Sequence, residues 1–242
     1  MSGADRSRQA ANAKSELIVA DWVHFPISLL RMNVQTIPSG LIQTNAYLLT
    51  DSARKEAILI DAPGDIWPKI EPILKAGGLA LTELWITHGH WDHTQGGAEV
   101  VRQTGANVLA HRADQILIET PEVMDDFMGE KLGLEGIAVN RWISAGDSLE
   151  ALGQSVAVRH VPGHCPGNVM FVFGEAEIAF VGDAIFAGCI GRTDLPGGSF
   201  TQLETAIRSQ IYSLPGQTKL YPGHGPTTTV ATEKESNPHD PA

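Results

Sequence analysis

The chain has 242 residues, of which 43% are hydrophobic, and its formal net charge is −11 at pH 7. That length suits one domain with a sizeable core, and the acidic balance excludes an extended nucleic-acid surface, which needs a basic stripe. Two cysteines, Cys165 and Cys189, are too few for a disulfide framework, and no run of about 18 apolar residues indicates a membrane span. We therefore expect a cytoplasmic protein without a nucleic-acid or membrane partner.

The two ends of the chain are polar, whereas its middle is not. Residues 1–16 have no hydrophobic periodicity and predict a disordered arm. Residues 231–242 are polar with two prolines and predict a tail. The segment 17–230 between them predicts a single domain.

Within that segment, short apolar runs alternate with turn signals. In chain order, the predicted strands cover residues 46–51, 56–62, 83–87, 107–111, 155–161, 168–174, 177–183 and 219–223. The predicted helices cover about 65–76, 94–104, 112–130 and 199–213, and the acidic stretch 119–150 suggests a flap or an insertion. Strands that alternate with helices, together with hairpins, predict a layered α/β architecture.

The strand at 83–87 is followed directly by side chains that suit a metal ion. The motif THGHWDH places His88, His90, Asp92 and His93 within six positions, at the carboxyl end of a strand, where α/β sheets usually bind ligands. In an extended stretch His88 and His90 point the same way, and a helix that starts near Asp92 turns Asp92 and His93 toward an adjacent point. Imidazole and carboxylate suit Zn, Fe or Mn, so we expect two groups of ligands.

The same arrangement of strand, glycine turn and metal-type side chain recurs further along the chain. The stretch HVPGHCPGN presents His164, GDAIF presents Asp183, and YPGHGP presents His224. Each of these alone is better explained as a turn or capping residue, but together with the first motif they match one metal centre. Cys165 adjoins His164, and because neighbours point apart we interpret it as a packing residue.

The four motifs THGHWDH, PGHCPG, GDAIF and YPGHG, in this order, resemble the metallo-β-lactamase superfamily over about residues 33–229, and within it the short, single-domain glyoxalase II-like hydrolases. The resemblance implies a four-layer αββα sandwich with a dinuclear metal site at one edge of the two sheets. It implies that His88, His90 and His164 hold one metal ion. It implies that Asp92, His93 and His224 hold the second, and that Asp183 bridges both.

The activity that the resemblance implies is hydrolysis of a thioester, S-lactoylglutathione or a similar acyl-thiol, by attack of a metal-bridging hydroxide, with Asp92 and Asp183 as the catalytic carboxylates. Two divalent metal ions are expected, with zinc as the first choice and iron or manganese as alternatives. The partner is a small-molecule acyl thioester or ester, and a homodimer is left open. True metallo-β-lactamases usually carry a cysteine at the second metal, whereas this sequence has His93, which disfavours lactam hydrolysis.

One departure from the glyoxalase II pattern concerns the thiol part of the substrate. Two-domain glyoxalase II carries a helical domain after its last metal histidine, and that domain grips glutathione. Only 18 residues follow His224 in this sequence, and they are polar. We therefore expect the chemistry to be retained and the hold on glutathione to be weaker.

Residues around the motifs suggest supporting roles and two alternative activities. Asp61, in LIDAPGD, could hydrogen-bond a ligand histidine or simply cap its turn. The stretch GRTDLPGGS predicts that Arg192 and Asp194 pair and brace a loop near the site. A similar Gly-Arg-Thr-Asp stretch occurs in persulfide dioxygenase relatives, which hold one iron, so a mononuclear-iron dioxygenase that uses the triad of His88, His164 and Asp183 is one alternative. A promiscuous esterase or lactonase of the same fold is the other.

Overall fold

The structure, a computed structural model, describes residues 32–125, 129 and 131–239. The disordered arm that the sequence predicts for residues 1–16 lies outside the described residues, as does the start of the predicted domain at residue 17. Within the described ranges, no helix combines the length and the apolar composition that crossing a membrane requires.

The first sheet comes from the N-terminal part of the described chain. Its strands are β1 (Met32–Ser39), β2 (Thr44–Asp51), β3 (Glu56–Ile60), β4 (Ala80–Trp85), β5 (Asn107–His111) and β6 (Arg141–Ile143). They lie side by side in chain order. The pairs from β1 to β3 are antiparallel and those from β3 to β6 are parallel. The carboxyl ends of β3, β4, β5 and β6 therefore share one edge.

The second sheet follows in the sequence. Its strands are β7 (Ser148–Ala151), β8 (Gln154–His160), β9 (Val169–Phe173), β10 (Ile178–Gly182), β13 (Lys219–Pro222) and β14 (Thr228–Thr229), and a separate small hairpin is formed by β11 (Ile185–Phe186) and β12 (Cys189–Ile190). The spatial order is β14-β13-β10-β9-β8-β7. Because β8 and β10 are each antiparallel to β9, and β13 is parallel to β10, the strands β8, β10 and β13 all end at the same edge.

The helices lie on the two outer sides. They are α1 (Trp67–Gly77), α2 (Trp91–Thr94), α3 (Gly97–Thr104), α4 (Gln115–Glu119), α5 (Phe200–Ala206) and α6 (Val230–Ser236). Helical turns at Arg112–Asp114, Pro121–Met124 and Ile207–Ile211 complete the described helical structure. Pro72 lies inside α1 without ending it, and Gly78, in the left-handed region at φ 57°, closes that helix.

Buried side chains form three apolar clusters between four layers of backbone. In β2, Ala46 and Leu48 belong to the cluster that joins the first sheet to α1 and α3, whereas Tyr47 and Leu49 belong to the cluster between the sheets. This division follows from the period of two along a strand whose faces are both buried. The second sheet packs its outer face on α5, through Leu203, and on α6. The order helices, sheet, sheet, helices confirms the αββα sandwich.

Several predicted elements have different bounds in the structure. The helix predicted at 94–104 corresponds to the end of α2 and to α3, and between them the Gly96 amide donates to the Ala62 carbonyl instead of to the preceding helical turn. The helix predicted at 112–130 is broken into short turns, and the break at Thr120 precedes Pro121, as proline disfavours a helical conformation in the residue before it. Residues 126–128 and 130 of that prediction lie outside the described residues.

Two elements at the ends of the described chain are absent from the sequence prediction. β1 was not predicted because only two of its eight residues are buried, so its apolar pattern is weak. Residues 231–236, the first part of the predicted polar tail, lie within α6. Thr229 caps this helix by accepting a hydrogen bond from the Thr232 amide. Glu233 is only 1% exposed and accepts hydrogen bonds from the Gly188 amide and from Asn237.

Candidate metal centre

The end of β4 delivers the first four predicted ligands. The chain leaves β4, passes through His88, and reaches His90, which is extended (φ −65°, ψ 147°) and directly precedes α2. Asp92 and His93 then lie in the single turn of α2, and all four side chains are buried. Gly89 permits this path, because a side chain there would collide with Leu117 and Asp114. The predicted change from extended chain to helix at Asp92 is therefore present.

Three histidines from two separate loops form the first donor group. His88 Nε2 lies 3.1 Å from His90 Nδ1, and His164 Nε2 lies 2.9 Å from His90 Nδ1 and 3.2 Å from His88 Nε2. Two nitrogens on a tetrahedral zinc ion, with bonds of about 2.0–2.1 Å, lie about 3.3 Å apart. The three donor atoms are thus spaced as one ion requires.

The second donor group adjoins the first and combines carboxylates with imidazoles. Asp92 Oδ2 lies 3.4 Å from His93 Nε2 and 3.2 Å from His224 Nε2. Asp183 reaches both groups, since its Oδ1 lies 3.2 Å from His93 Nε2 and its Oδ2 lies 3.4 Å from His224 Nε2 and 3.6 Å from His164 Nε2. The structure brings all seven predicted ligands together in the grouping that the resemblance implied.

Two buried polar atoms without partners also indicate that the donor groups fit metal ions. His93 Nε2 and Asp183 Oδ1 are buried, and neither has a hydrogen-bond partner among the described residues. Their separation of 3.2 Å is short enough for attraction, but the alignment does not make a hydrogen bond. A buried polar atom without a partner is costly, and a cation between the two groups would satisfy both atoms. His88, His90 and His164 would hold one ion, and Asp92, His93 and His224 the other, with Asp183 shared.

Asp61 supports this arrangement from behind. It accepts hydrogen bonds from the amide and the hydroxyl of Thr87, each at 2.8 Å, and its Oδ2 lies 2.8 Å from His93 Nδ1. With Nδ1 engaged, His93 turns Nε2 toward Asp183, which is how carboxylates orient metal-binding histidines elsewhere. Of the two roles weighed for Asp61, the structure shows the contact with His93, one of the predicted ligands.

Further supports come from the start of β2. The Thr44 hydroxyl donates to Asp92 Oδ2 at 2.6 Å. The Asn45 amide donates to the carbonyls of Pro222 and Gly225 at 3.0 and 2.9 Å, and thereby ties down the loop that carries His224. Thr44 carried no sequence signal beyond its place in the turn before a strand.

Asp114 is the functional candidate that sequence reasoning missed. It is 1% exposed and accepts hydrogen bonds from the amides of Gly89 and Gly167 at 2.8 and 2.6 Å and from the Cys165 thiol at 3.1 Å. It therefore joins the loop that carries His88 and His90 to the loop that carries His164. Burial raises its pKa although these donors act against the rise. The available signal was its place just beyond β5, at the same edge as the predicted acidic ligands Asp92 and Asp183.

The loop that follows β12 approaches the first donor group with its backbone. His164 Nδ1 lies 2.7 Å from the carbonyl of Arg192 and donates to it. The Arg192 side chain makes the predicted bidentate pair with Asp194, at 2.7 and 2.8 Å. Because these side chains are 60% and 70% exposed, the pair shapes the loop rather than the buried donor groups.

The two donor groups differ in their protonation. Burial lowers the pKa of His88 well below its usual range and that of His90 to about 3, so both rings are neutral at pH 7, the form that binds metal. Burial also acts on His93, but the carboxylates around it outweigh burial and raise its pKa well above the usual range. Burial disfavours the ionised form of Asp183, yet His93 and His224 hold its pKa well below the usual range. Asp183 is therefore ionised, and a cation that binds the second group takes the place of the proton that the carboxylates hold on His93.

A cavity of about 680 Å³ opens over the two donor groups. His90, Asp92, His164, Asp183 and His224 all form part of its wall. That volume lies within the range of about 300–1,000 Å³ that small-molecule sites occupy. A substrate in this cavity would therefore lie directly against the predicted ligands.

Comparison with known proteins gives a consistent picture. Residues 39–230 match the family model described as the metallo-beta-lactamase superfamily. The chain is 34% identical over 213 residues to hydroxyacylglutathione hydrolase GloC of Haemophilus influenzae, covering 86% of this chain and 97% of that protein. It is also similar to the structure of BLEG-1 B3 metallo-beta-lactamase (TM-score 0.80, 32% identity, 87% of this chain and 100% of that one). The structure of TTHA1623 in a di-iron-bound form is likewise similar (TM-score 0.75, 32% identity, 85% and 99%).

Proposed function

Because the chain belongs to the metallo-beta-lactamase superfamily, we propose that it is a dinuclear metallohydrolase that cleaves a thioester or a related ester. The observation that carries the proposal is the pair of adjoining donor groups with Asp183 between them. When bound there, two divalent ions supply Lewis-acid polarisation of an acyl oxygen and lower the pKa of a water molecule toward neutrality. Zinc is the first choice, and the di-iron form of TTHA1623 makes iron a second.

The residues of the chain position and ionise the site for this reaction. Asp183 stays ionised because His93 and His224 hold its pKa down, so it can accept a hydrogen bond from the attacking water and orient it. Asp92 is kept in place by the Thr44 hydroxyl on its Oδ2. The neutral rings of His88 and His90 leave their donor nitrogens free of protons. These three features together keep the nucleophile and the polarising centre in fixed relation.

The choice of a thioester follows from what the cavity lacks. A thiol has a pKa of about 8.5, so a thiolate can leave without being protonated, whereas an amine cannot. Apart from the imidazoles of the donor groups, Arg192 is the cationic side chain among the described residues that line the cavity, and it is paired with Asp194. No separate general acid is thus offered, which suits a good leaving group. The similarity to hydroxyacylglutathione hydrolase GloC supports the same choice.

The test combines metal analysis with activity. Elemental analysis of purified protein should give about two transition-metal ions per chain, as the two donor groups imply, and the loaded protein should hydrolyse S-lactoylglutathione and simple thioesters. If protein loaded with two metal ions hydrolyses none of these thioesters, the proposal is refuted. Nitrocefin, a β-lactam, is assayed beside the thioesters, because the similar protein BLEG-1, at 32% identity, is a B3 metallo-beta-lactamase. If nitrocefin is turned over much faster than every thioester, the substrate class is a lactam.

The mononuclear-iron dioxygenase is the second candidate, and the observation in its favour is the Gly-Arg-Thr-Asp loop that contacts His164 through the Arg192 carbonyl. It predicts one iron per chain and oxygen uptake with glutathione persulfide. The full second group of Asp92, His93 and His224 argues for the hydrolase. Oxygen uptake by the one-iron protein, without thioester hydrolysis, would decide for the dioxygenase.

A further inference from the structure

The wall of the cavity that faces the donor groups is apolar. Side chains from four segments of the chain form it: Ile42 from the turn between β1 and β2, Ile116 and Leu117 from α4, Met124 from the turn that follows α4, and Phe186 and Leu195 from the β11–β12 region. The donor groups form the polar end of the same cavity. A molecule that reaches the donors must therefore lay the rest of its length along hydrocarbon.

Two of these wall residues are exposed although they are large and hydrophobic. Ile42 is 50% exposed and Ile116 is 59% exposed, and Leu41, next to Ile42, is 79% exposed. Ile42, in the β1–β2 turn, and Ile116, in α4, both line the one cavity. Exposed apolar side chains at a cavity often mark a binding site, since their contact with water is unfavourable.

The charge of the cavity does not match the thiol carrier glutathione, which has two carboxylates. Arg192 is the one cation other than histidine on the described wall, and its guanidinium is already paired with Asp194 through Nε and Nη2. The wall thus favours an uncharged, extended group over a polyanionic one.

We propose that the preferred substrate carries an extended apolar group, an alkyl chain or a comparable hydrocarbon, attached to the thioester or ester that is cleaved at the donor groups. This inference rests on the hydrolase proposed above and specifies its substrate class. The hydrocarbon lies against Ile42, Ile116 and Met124 while the carbonyl lies at Asp183 and His224. Either side of the scissile bond can supply the hydrocarbon, and the two sides are distinguished by the test.

The test is a chain-length series on the metal-loaded protein. One arm uses N-acetylcysteamine thioesters with acyl chains from propanoyl to decanoyl, and the other uses acetyl thioesters of alkane thiols of the same lengths. In the arm that fits the cavity, kcat/KM should rise by about fourfold per added methylene, the factor that corresponds to about 0.8 kcal/mol per buried methylene at about 1.4 kcal/mol per tenfold change. A second readout needs no turnover: S-alkyl thioethers, which cannot be hydrolysed, should bind chelator-treated protein more tightly as the chain lengthens.

A matched pair of variants places the effect in the cavity. Ile116→Ser removes an exposed apolar residue of the rim and should flatten the chain-length dependence, with a loss of several-fold for the longest substrate and little change for the shortest. Phe200→Ser removes a residue of similar exposure, 51%, at the start of α5 and away from the cavity. It should leave the dependence as it is in the parent protein.

The outcomes separate this inference from the proposed function. If short thioesters are cleaved and kcat/KM is flat or falls with length in both arms, the inference is wrong and the hydrolase stands. If no ester or thioester of any length is cleaved by fully loaded protein, the hydrolase itself is wrong. If Ile116→Ser converts a dimer to a monomer in gel filtration and the length dependence is flat, the rim is a contact between subunits, and the inference is again overturned.

Discussion

Asp61 is the residue on which the geometry of the second donor group depends, although it is not itself one of the seven donors. Its backbone has φ 60°, in the left-handed region that costs free energy for a residue other than glycine. Three hydrogen-bonding contacts, two with Thr87 and one with His93, hold it there. These contacts offset the free-energy cost of the backbone conformation of Asp61, and they fix the orientation of the His93 ring.

We expect Asp61→Asn to weaken the second metal by about 10–100-fold, the usual effect of losing such a support. The asparagine amide presents a donor where His93 Nδ1 now meets an acceptor, so the ring loses its fixed tautomer. Metal content after dialysis against a graded chelator measures the effect. Asp65→Asn is the matched control, since Asp65 lies on the same loop, also has a positive φ (59°), and is exposed. Equal losses in both variants would mean that the loop, not the contact with His93, is responsible.

At the scale of elements, the site depends on contacts between loops that follow different strands. Asp114, just after β5, accepts hydrogen bonds from Gly89, after β4, and from Gly167, after β8. The first donor group takes His88 and His90 from one of those loops and His164 from the other. A single buried carboxylate therefore sets the distance between the two halves of that group.

We expect Asp114→Ala to destabilise the metal-free protein by about 1–3 kcal/mol for each buried amide left without a partner. Urea unfolding measures this as a lower midpoint with an unchanged slope. Cys165→Ala is the control, because it removes the thiol from Asp114 but leaves both amide bonds, and we expect metal content and turnover within a few-fold of the parent. A loss of metal in Cys165→Ala would show that the sulfur has a role beyond packing.

The ends of β5 and β8 also meet through a pair of histidine rings. His111 and His160 stack with their centroids 4.3 Å apart and their planes at 18°, and His111 Nδ1 accepts a hydrogen bond from the Ala113 amide. Burial, and then the neighbouring His160, lower the pKa of His111. The neutral form of His111 is therefore the one that the fold favours.

The sign of the pH effect follows from that lowered pKa. Below about pH 6.5, the usual histidine pKa, the unfolded chain binds a proton at His111 more readily than the folded chain does, so this contribution to stability is present above that pH and is lost as the pH falls. NMR titration should give His111 a pKa below 6.5, and His111→Gln should lose less stability than the parent between pH 7.5 and 5. A pKa at or above 6.5 would contradict the prediction.

At the scale of the whole molecule, the two sheets meet at the edge where the donor groups lie. The first sheet supplies the loop after β4, and the second supplies those after β8, β10 and β13. A metal ion held by both would cross-link the two halves of the sandwich. Since the donors are placed only in the folded chain, binding free energy becomes folding free energy.

We therefore expect metal to raise the melting temperature, and chelation to lower it. At a free metal concentration of about 100 times Kd the gain is about 2.7 kcal/mol, which for a domain of this size is a rise of several degrees. Differential scanning calorimetry of loaded and chelator-treated protein measures it. Asp183→Ala should abolish most of the rise and nearly all activity, because Asp183 contacts both groups, whereas Asp194→Ala, on the exposed loop, should keep the rise. An undiminished rise in Asp183→Ala would contradict the shared role of this carboxylate.

The sequence by itself determined the layered fold and the donor residues. Continuous apolar runs mark β2 and β3 as buried strands, and local spacing in the first motif was enough to separate His88 and His90 from Asp92 and His93. The ligand roles of the seven side chains stay predictions, but their convergence could be read in advance because each follows a strand. What local spacing could not show was β1, whose pattern is weak because one side of it meets solvent, and α6, whose polar sequence conceals the buried Glu233.

Only the tertiary structure decided which loops meet and what covers the donors. His88 and His164 are 76 positions apart and Asp114 and Gly167 are 53 positions apart, so their contacts depend on how two sheets pair and pack, not on neighbouring residues. The apolar wall of the cavity likewise combines Ile42, Ile116 and Phe186 from distant segments that carry no shared motif. Short-range spacing restricts side chains that are a few residues apart, whereas the shape of a cavity depends on long-range packing. The residue types of the site could therefore be predicted from the sequence, and the shape of the cavity over them could not.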